Sequence, residues 1–312
     1  MGRKVLIFGA TGEIGGRIAQ LAVQAGHTVY GAVRGKYKND LIDLTGVTML
    51  SGDKRDETFL HDVCAPLKPD VVIDTVPDKL AVDLYMKHFP GVSNVFFCSS
   101  TGTFVPLRSM PADERHPWRL QTERNFFYQC ERDDYAFRMY HEKNFPITIF
   151  RPTNIIGAGR IPLELWGGRD IDFWKKLKAS EPIKIPQCLD ILLQSGFNWD
   201  LASAFALAID KPSAVRGELF IISTDKAITL REYLRAGMEY FNSKSEITVV
   251  STEELQQTYP GKIHMTFGLE FLLEHMCFDI SKVKNVLGYK VSKTGQEGLY
   301  DALEWCERTG QL

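Results

Sequence analysis

Residues 4–33, KVLIFGATGEIGGRIAQLAVQAGHTVYGAV, constrain the fold of this chain more than any other stretch. Val5–Phe8 is a short unbroken apolar run, the pattern of a strand buried on both faces. Gly9, Gly12 and Gly15 follow in G-x-x-G-x-x-G spacing. Ile14, Ile18, Leu21 and Ala22 then recur at helical intervals, Gly26 marks a helix stop, and Thr28–Val33 has the pattern of a second strand. Strand, glycine turn, helix and strand within about thirty residues make a β-α-β unit. Its turn offers backbone N–H groups and a helix N-terminus to a diphosphate. Gly9 allows the tight turn, Gly12 the close approach, and Gly15 the packing of helix on strand. Thr11, Glu13 and Ile14 belong to the same loop and are expected beside the ligand.

The order of these parts predicts binding of a nicotinamide dinucleotide. An acidic residue after the second strand would hold the ribose hydroxyls of NAD. The chain has VRGKYK there instead. Arg34 and Lys36 suit a 2′-phosphate, since a guanidinium and a phosphate pair through charge-assisted bonds. The expected cofactor is therefore NAD or NADP, with NADP favoured.

Further strand-like runs are VTML (47–50), VVIDTV (71–76), NVFFCSS (94–100), ITIFRP (147–152) and ELFIIS (218–223), with helix-like segments between most of them. This alternation predicts an α/β fold, a doubly wound parallel sheet (Rossmann-like). Ligands bind beyond the C-terminal strand ends of such sheets. Asp53, Val76-Pro77 and Ser99–Thr101 fall there. After about residue 155 the pattern breaks into Gly-, Pro- and Arg-rich loops. The expected division is a dinucleotide domain over 1–156, to which 198–224 returns. A smaller, partly interleaved C-terminal α/β substrate region covers 157–197 and 225–312.

The net charge of −2 supplies no general attraction to nucleic acid or anionic lipid. No apolar run reaches the roughly 20 residues of a membrane helix, and the apolar start is too short for a signal-peptide core. Six scattered cysteines without a CxxC pair suggest a reduced, cytosolic chain in which most act as small apolar fillers. Seven histidines form none of the common metal spacings, so no metal is expected.

The chain resembles an extended short-chain dehydrogenase/reductase, the group that contains the NAD-dependent nucleotide-sugar epimerases and dehydratases. The resemblance rests on GATGEIGG (9–16), GDKRD (52–56), CSSTGTF (98–104), YQCER (128–132), RPTNIIG (151–157), NWDLA (198–202) and FDISKVKNVLGY (278–289). GDKRD and HPWRLQTERN are similar to a branch that includes chloroplast stem-loop-binding proteins. The resemblance implies that Gly9, Gly12 and Gly15 hold the pyrophosphate, and that Asp53, with Lys54 beside it, contacts the adenine. Val76 and Pro77 would line the adenosine-ribose side. Pro152–Asn154 would pass the nicotinamide amide. Thr101 would be the hydroxyl on the reacting oxygen, with Ser99 and Ser100 as alternatives. It also implies a homodimer through the helix carrying Tyr128, and a small-molecule substrate, with a nucleotide sugar foremost.

Hydride transfer at a carbon bearing oxygen needs a proton moved in step. A tyrosine can move it once its pKa, normally about 10, is lowered; three units require roughly 4 kcal/mol of phenolate stabilisation. A cation one helical turn away contributes. Tyr128 and residue 132 are spaced i, i+4 on one helix face. The family's usual lysine is Arg132 here, which keeps the charge but presents it in a longer planar fork. Three alternatives follow: an active enzyme with Arg132 in the lysine's role, a dinucleotide-binding regulator or RNA-binding relative without catalysis, or a purely structural helix face. The other charges of 131–134 have the pattern of ordinary helix surface, and His116 of an exposed loop residue. Asp113-Glu114 is as readily a solvated loop as a sugar-binding or acid/base pair. Arg160 and Arg169, with Trp166, are candidates to grip a diphosphate and a flat base; low-order substrate candidates nearer the cofactor are Ser100, Thr101 and Asn154.

Overall fold

In the computed structural model, the residues described are 2–35, 41–118, 126–263 and 268–312. Lys36 lies outside them. Within them, strands β1 (Lys4–Phe8), β2 (Thr28–Val33), β3 (Val47–Ser51), β4 (Val71–Asp74), β5 (Asn94–Cys98) and β6 (Ile147–Pro152) appear at the expected runs. Three short strands, β7 (Asn154–Ile156), β8 (Ile183–Ile185) and β9 (Leu192–Leu193), follow, then β10 (Ser195–Phe197), β11 (Leu219–Ile222), β12 (Ile228–Thr229) and β13 (Ile247–Val249).

Seven of these strands form one parallel sheet in the order β11-β6-β5-β4-β1-β2-β3. The fold is the doubly wound α/β arrangement expected from the alternation. β1, β4 and β6 are buried along their lengths or nearly so, because helices cover both faces; this is why they are unbroken apolar runs. The strand order reverses between β4 and β1, and this switch point opens a crevice at the C-terminal strand ends.

Helix Glu13–Gln24 follows β1 and packs against helix Asn198–Ile209, with the Arg17 guanidinium 5.1 Å from the Trp199 ring. The small strands pair among themselves: β7 with β10, β8 with β13, and β9 with β12. They belong to the segments on either side of β11.

The sheet edge at β11 is capped by side chains. Glu114 accepts the Ile221 N–H (3.0 Å), and the Lys282 ammonium donates to the Leu219 carbonyl (2.7 Å). Blocking an exposed strand in this way discourages pairing with another chain. Glu114 is thus bound to the edge strand, while Asp113 pairs with the exposed Arg115. His116 is buried, not exposed: its Nε2 accepts the Arg108 N–H (2.8 Å) and its ring stands edge-on to Phe104. All six cysteines are free, and Cys64, Cys130, Cys188 and Cys306 are buried. Among the described residues, no helix is long and apolar enough to cross a membrane.

Candidate dinucleotide site

The turn after β1 is built by its glycines. Gly9 has φ +83°, a conformation that favours a residue without Cβ, and its carbonyl accepts the Gly12 N–H (2.9 Å). Gly12 caps helix Glu13–Gln24 in an extended conformation, with no side chain bonded over the first-turn N–H groups. A Cβ on Gly15 would lie 2.2 Å from the Gly9 carbonyl oxygen, so the helix start rides directly on the turn. Ile14 is buried in the core beside it. A cleft of about 370 Å³ opens above, lined by Gly9, Thr11, Gly12, Arg34, Asp53, Lys54 and Val76.

One rim of this cleft is fixed by a buried carboxylate at the end of β4. Asp74 accepts from the Lys54 ammonium (2.6 Å), the Tyr85 hydroxyl (2.8 Å) and the Val76 N–H (3.0 Å). Lys54 also donates to the Val76 carbonyl (2.5 Å). The bond to Val76 N–H turns the chain out of the sheet, which is why β4 stops at Asp74 although the apolar run continues to 76. Burial, and then the charge of Asp74, push the Tyr85 hydroxyl well above the usual tyrosine range, so it stays a donor. Asp53 accepts the Arg55 N–H (3.0 Å) while facing the cleft.

Around Tyr128 and Arg132 the two side chains sit in unlike surroundings. Tyr128 stands 80% exposed at the start of helix Phe127–Lys143, its ring edge-on to Phe127. Arg132, one turn later, is buried. Its Nε and Nη2 donate to Asp133 Oδ1 (3.0 and 2.6 Å), and its Nη1 donates to the Pro77 carbonyl (3.0 Å). The other oxygen of Asp133 accepts from Ser99 Oγ (2.6 Å) and Arg151 Nη2 (2.9 Å). Arg151 is fully buried between Trp118 and Phe104, with ring centroids 4.0 and 4.5 Å from its guanidinium. The expectation that the charges of 131–134 are helix surface therefore holds for Glu131 and Asp134 alone. Asp133 joins β5, the helix and β6.

Thr101 is buried, and its hydroxyl donates to the Pro152 carbonyl (3.2 Å). Half-buried Ser100 accepts the Gly102 N–H at its hydroxyl (3.1 Å). Asn154 donates to Ser195 Oγ (2.9 Å) and accepts from Arg169 (3.0 Å). Arg169 further donates to the Ile161 and Ile155 carbonyls (2.7 and 3.0 Å), and burial lowers its guanidinium to about 10. Arg160 is half-exposed and faces Glu13 across 3.5 Å. Trp166 is no platform for a flat base: it is fully buried, its indole N–H bonded to the Lys184 carbonyl and its ring against Tyr259 and Phe173.

Glu164, in the same loop, is buried and accepts backbone N–H groups from Trp166 and Gly168. Burial pushes its carboxyl up to about 7 despite those donors. A folded-state pKa above the unfolded value near 4.5 makes the protonated form the better folded one. The stabilisation is complete below about 4.5 and is lost as pH rises through about 7. The thermal midpoint should fall across that window, and Glu164→Gln should flatten the decline; an unchanged slope in the variant would exclude Glu164 as its source.

Comparison with known proteins agrees with this architecture. Residues 1–97 match the NmrA-like family model. A chloroplast stem-loop binding protein of 41 kDa (form b) from Arabidopsis thaliana is 27% identical over 322 residues, covering 96% of this chain and 78% of that protein. The UDP-glucose 4-epimerase of Thermotoga maritima, solved with UDP-glucose, superposes with a TM-score of 0.75 at 16% identity, covering 98% of this chain and 99% of the other. The UDP-glucose 4-epimerase of Bifidobacterium longum, solved with NAD+ and UDP, gives 0.74 at 16%, with 98% and 99% covered. The chain shares the Rossmann-like α/β fold of these epimerase structures.

Within that fold, Asp133 and Asp74 are the residues that sequence reasoning did not find. Both are fully buried carboxylates with several donors. The one available signal for Asp74 was an acid closing an otherwise apolar run, VVID, at a C-terminal strand end. Asp133 gave none, because its partners Ser99 and Arg151 are distant in sequence and its neighbours in the helix are charged.

Proposed function

We propose that the protein binds a nicotinamide dinucleotide, NADP in preference to NAD. We further propose that it moves hydride to or from a small molecule bearing a hydroxyl or carbonyl, a nucleotide sugar being the foremost candidate. The glycine cradle carries this reading: Gly9, Gly12 and Gly15 leave the helix N-terminus open at a cleft whose rim bears Arg34 and Lys54. Those glycines and the basic rim would hold the diphosphate and the adenosine end, with Asp53, Val76 and Pro77 beside them. The bound dinucleotide supplies or accepts the hydride. Tyr128, open to solvent, exchanges the proton of the reacting oxygen. Arg132 holds positive charge one turn away, kept in place by Asp133. Two of its five N–H hydrogens go to Asp133 and one to Pro77, which leaves one on each terminal nitrogen for a ribose hydroxyl. Ser100, whose hydroxyl accepts the Gly102 N–H, is a better hydroxyl for the substrate than Thr101, whose proton is already given to Pro152.

A non-catalytic dinucleotide-binding regulator is the second reading. The exposure of Tyr128 and the commitment of Arg132 and Thr101 to the protein favour it. The stem-loop-binding relative suggests RNA, but a net charge of −2 gives little electrostatic support.

The test is turnover of bound NADPH or NADP+ against a panel of nucleotide sugars and small carbonyl compounds. With a turned-over substrate, Tyr128→Phe should lower kcat by about 100-fold or more, the usual worth of a positioned acid/base, with NADPH affinity unchanged. Full activity in that variant removes Tyr128 from the chemistry. A tightly held dinucleotide whose redox state never changes favours the regulator.

A further inference from the structure

The first residue of the diphosphate helix is an acid. Glu13 follows the Gly12 cap, so its carboxylate lies in the positive field at the helix N-terminus. That field also attracts a diphosphate. Two anions sharing it repel each other unless a cation stands by.

Arg160 is that cation. Its Nη1 is 3.5 Å from Glu13 Oε2, and this is its ion pair among the described residues. Arg169 lies in the same cluster, and its guanidinium feels both Arg160 and Glu13, but three of its five N–H hydrogens tie it to Ile161, Asn154 and Ile155. Arg160 remains half-exposed at 48%, with Glu13 at 14%.

The loop that carries Arg160 is pinned to the cofactor half two residues earlier. The Ala158 carbonyl accepts from Arg17 Nη2 (2.6 Å) and Asn198 Nδ2 (3.0 Å), and its N–H donates to Asp301 (2.7 Å). Arg17 lies on the diphosphate helix and also donates to the Glu13 carbonyl (2.6 Å). Asn198 Nδ2 is 3.5 Å from Glu13 Oε1. Gly157 and Gly159 flank Ala158 at φ +128° and +108°, so the loop can fold this closely. Arg160 therefore arrives at Glu13 from a loop anchored on the helix that Glu13 begins.

We propose that Glu13 and Arg160 form a charge gate coupling dinucleotide affinity to the 157–161 loop. Arg160 neutralises Glu13, so that the helix N-terminus accepts the diphosphate; by linkage, the bound diphosphate favours the state in which Arg160 and its loop lie against Glu13. By thermodynamic reciprocity, a second ligand that orders this loop raises dinucleotide affinity by the same factor. The proposal rests on the dinucleotide reading above.

The test is a double-mutant cycle in NADPH affinity, read by nucleotide fluorescence on the full chain, with circular dichroism and thermal midpoints as folding controls. Arg160→Ala should weaken NADPH at least tenfold, and Arg160→Lys should stay near the parent. Glu13→Gln should tighten binding several-fold. In the Glu13→Gln background, Arg160→Ala should lose most of its effect. Hydrogen exchange of residues 157–161 should slow on adding NADPH to the parent and not to Arg160→Ala. The gate is overturned if Arg160→Ala binds like the parent, or if its effect is equally large without Glu13, which would mean direct contact of Arg160 with the nucleotide. A parent chain that binds neither NADPH nor NADH overturns the dinucleotide reading itself, a result distinct from binding without coupling.

Discussion

Asp133→Ala is expected to destabilise the protein by about 3–5 kcal/mol, the usual consequence of removing one partner from a buried ion network. The carboxylate is fully buried and holds two guanidiniums and a hydroxyl, from Arg132, Arg151 and Ser99. Its loss leaves two positive charges out of water with no counterion. Arg151 is already stretched: burial lowers its guanidinium from the ordinary arginine range, and its Nη1 is without a hydrogen-bond partner among the described residues. The urea midpoint, followed by circular dichroism, should drop accordingly. Asp133→Ala combined with Arg151→Met should recover part of the loss, since an apolar side chain suits the slot between Phe104 and Trp118. A midpoint equal to the parent's would show that the network contributes nothing. The functional consequence follows from the same geometry: without Asp133, Arg132 keeps among the described residues its hydrogen bond to Pro77 and no longer holds one position a turn from Tyr128.

Gly15→Ala should reduce NADPH affinity about 100-fold or more and destabilise the fold by about 1–3 kcal/mol, as overpacking does. The added Cβ would meet the Gly9 carbonyl oxygen at 2.2 Å and its carbon at 2.9 Å, both backbone atoms. Relief requires lifting the helix or turning the Gly9 peptide, and either breaks the Gly12-to-Gly9 bond that shapes the turn. Fluorescence titration and a urea melt measure the two effects separately. Parent-like NADPH affinity in Gly15→Ala would mean that the turn is not where the diphosphate sits.

These substitutions differ in how visible their targets are in the sequence. The glycine turn is a local object: its strand, its three glycines and its helix lie within about thirty consecutive residues, and backbone sterics decide their arrangement. The strand runs are equally local, because a doubly covered strand must be continuously apolar. Helix Phe127–Lys143 is the opposite case. Its buried side includes Arg132 and Asp133 beside Cys130, Ala136 and Met139, so a pattern of apolar residues leaves two core positions out and places Asp133 on the surface. Trp166 and His116 failed for a related reason. A loop in sequence says little about burial, and the strands and rings that enclose them come from distant parts of the chain.

The sequence alone determined the α/β sheet and the glycine turn after β1, since each follows from neighbouring residues and the backbone's own limits. Only the tertiary structure decided where the charges around Tyr128 go. Ser99, Asp133 and Arg151 meet because β5, β6 and a helix converge, and a buried carboxylate takes whichever donors that convergence brings within reach.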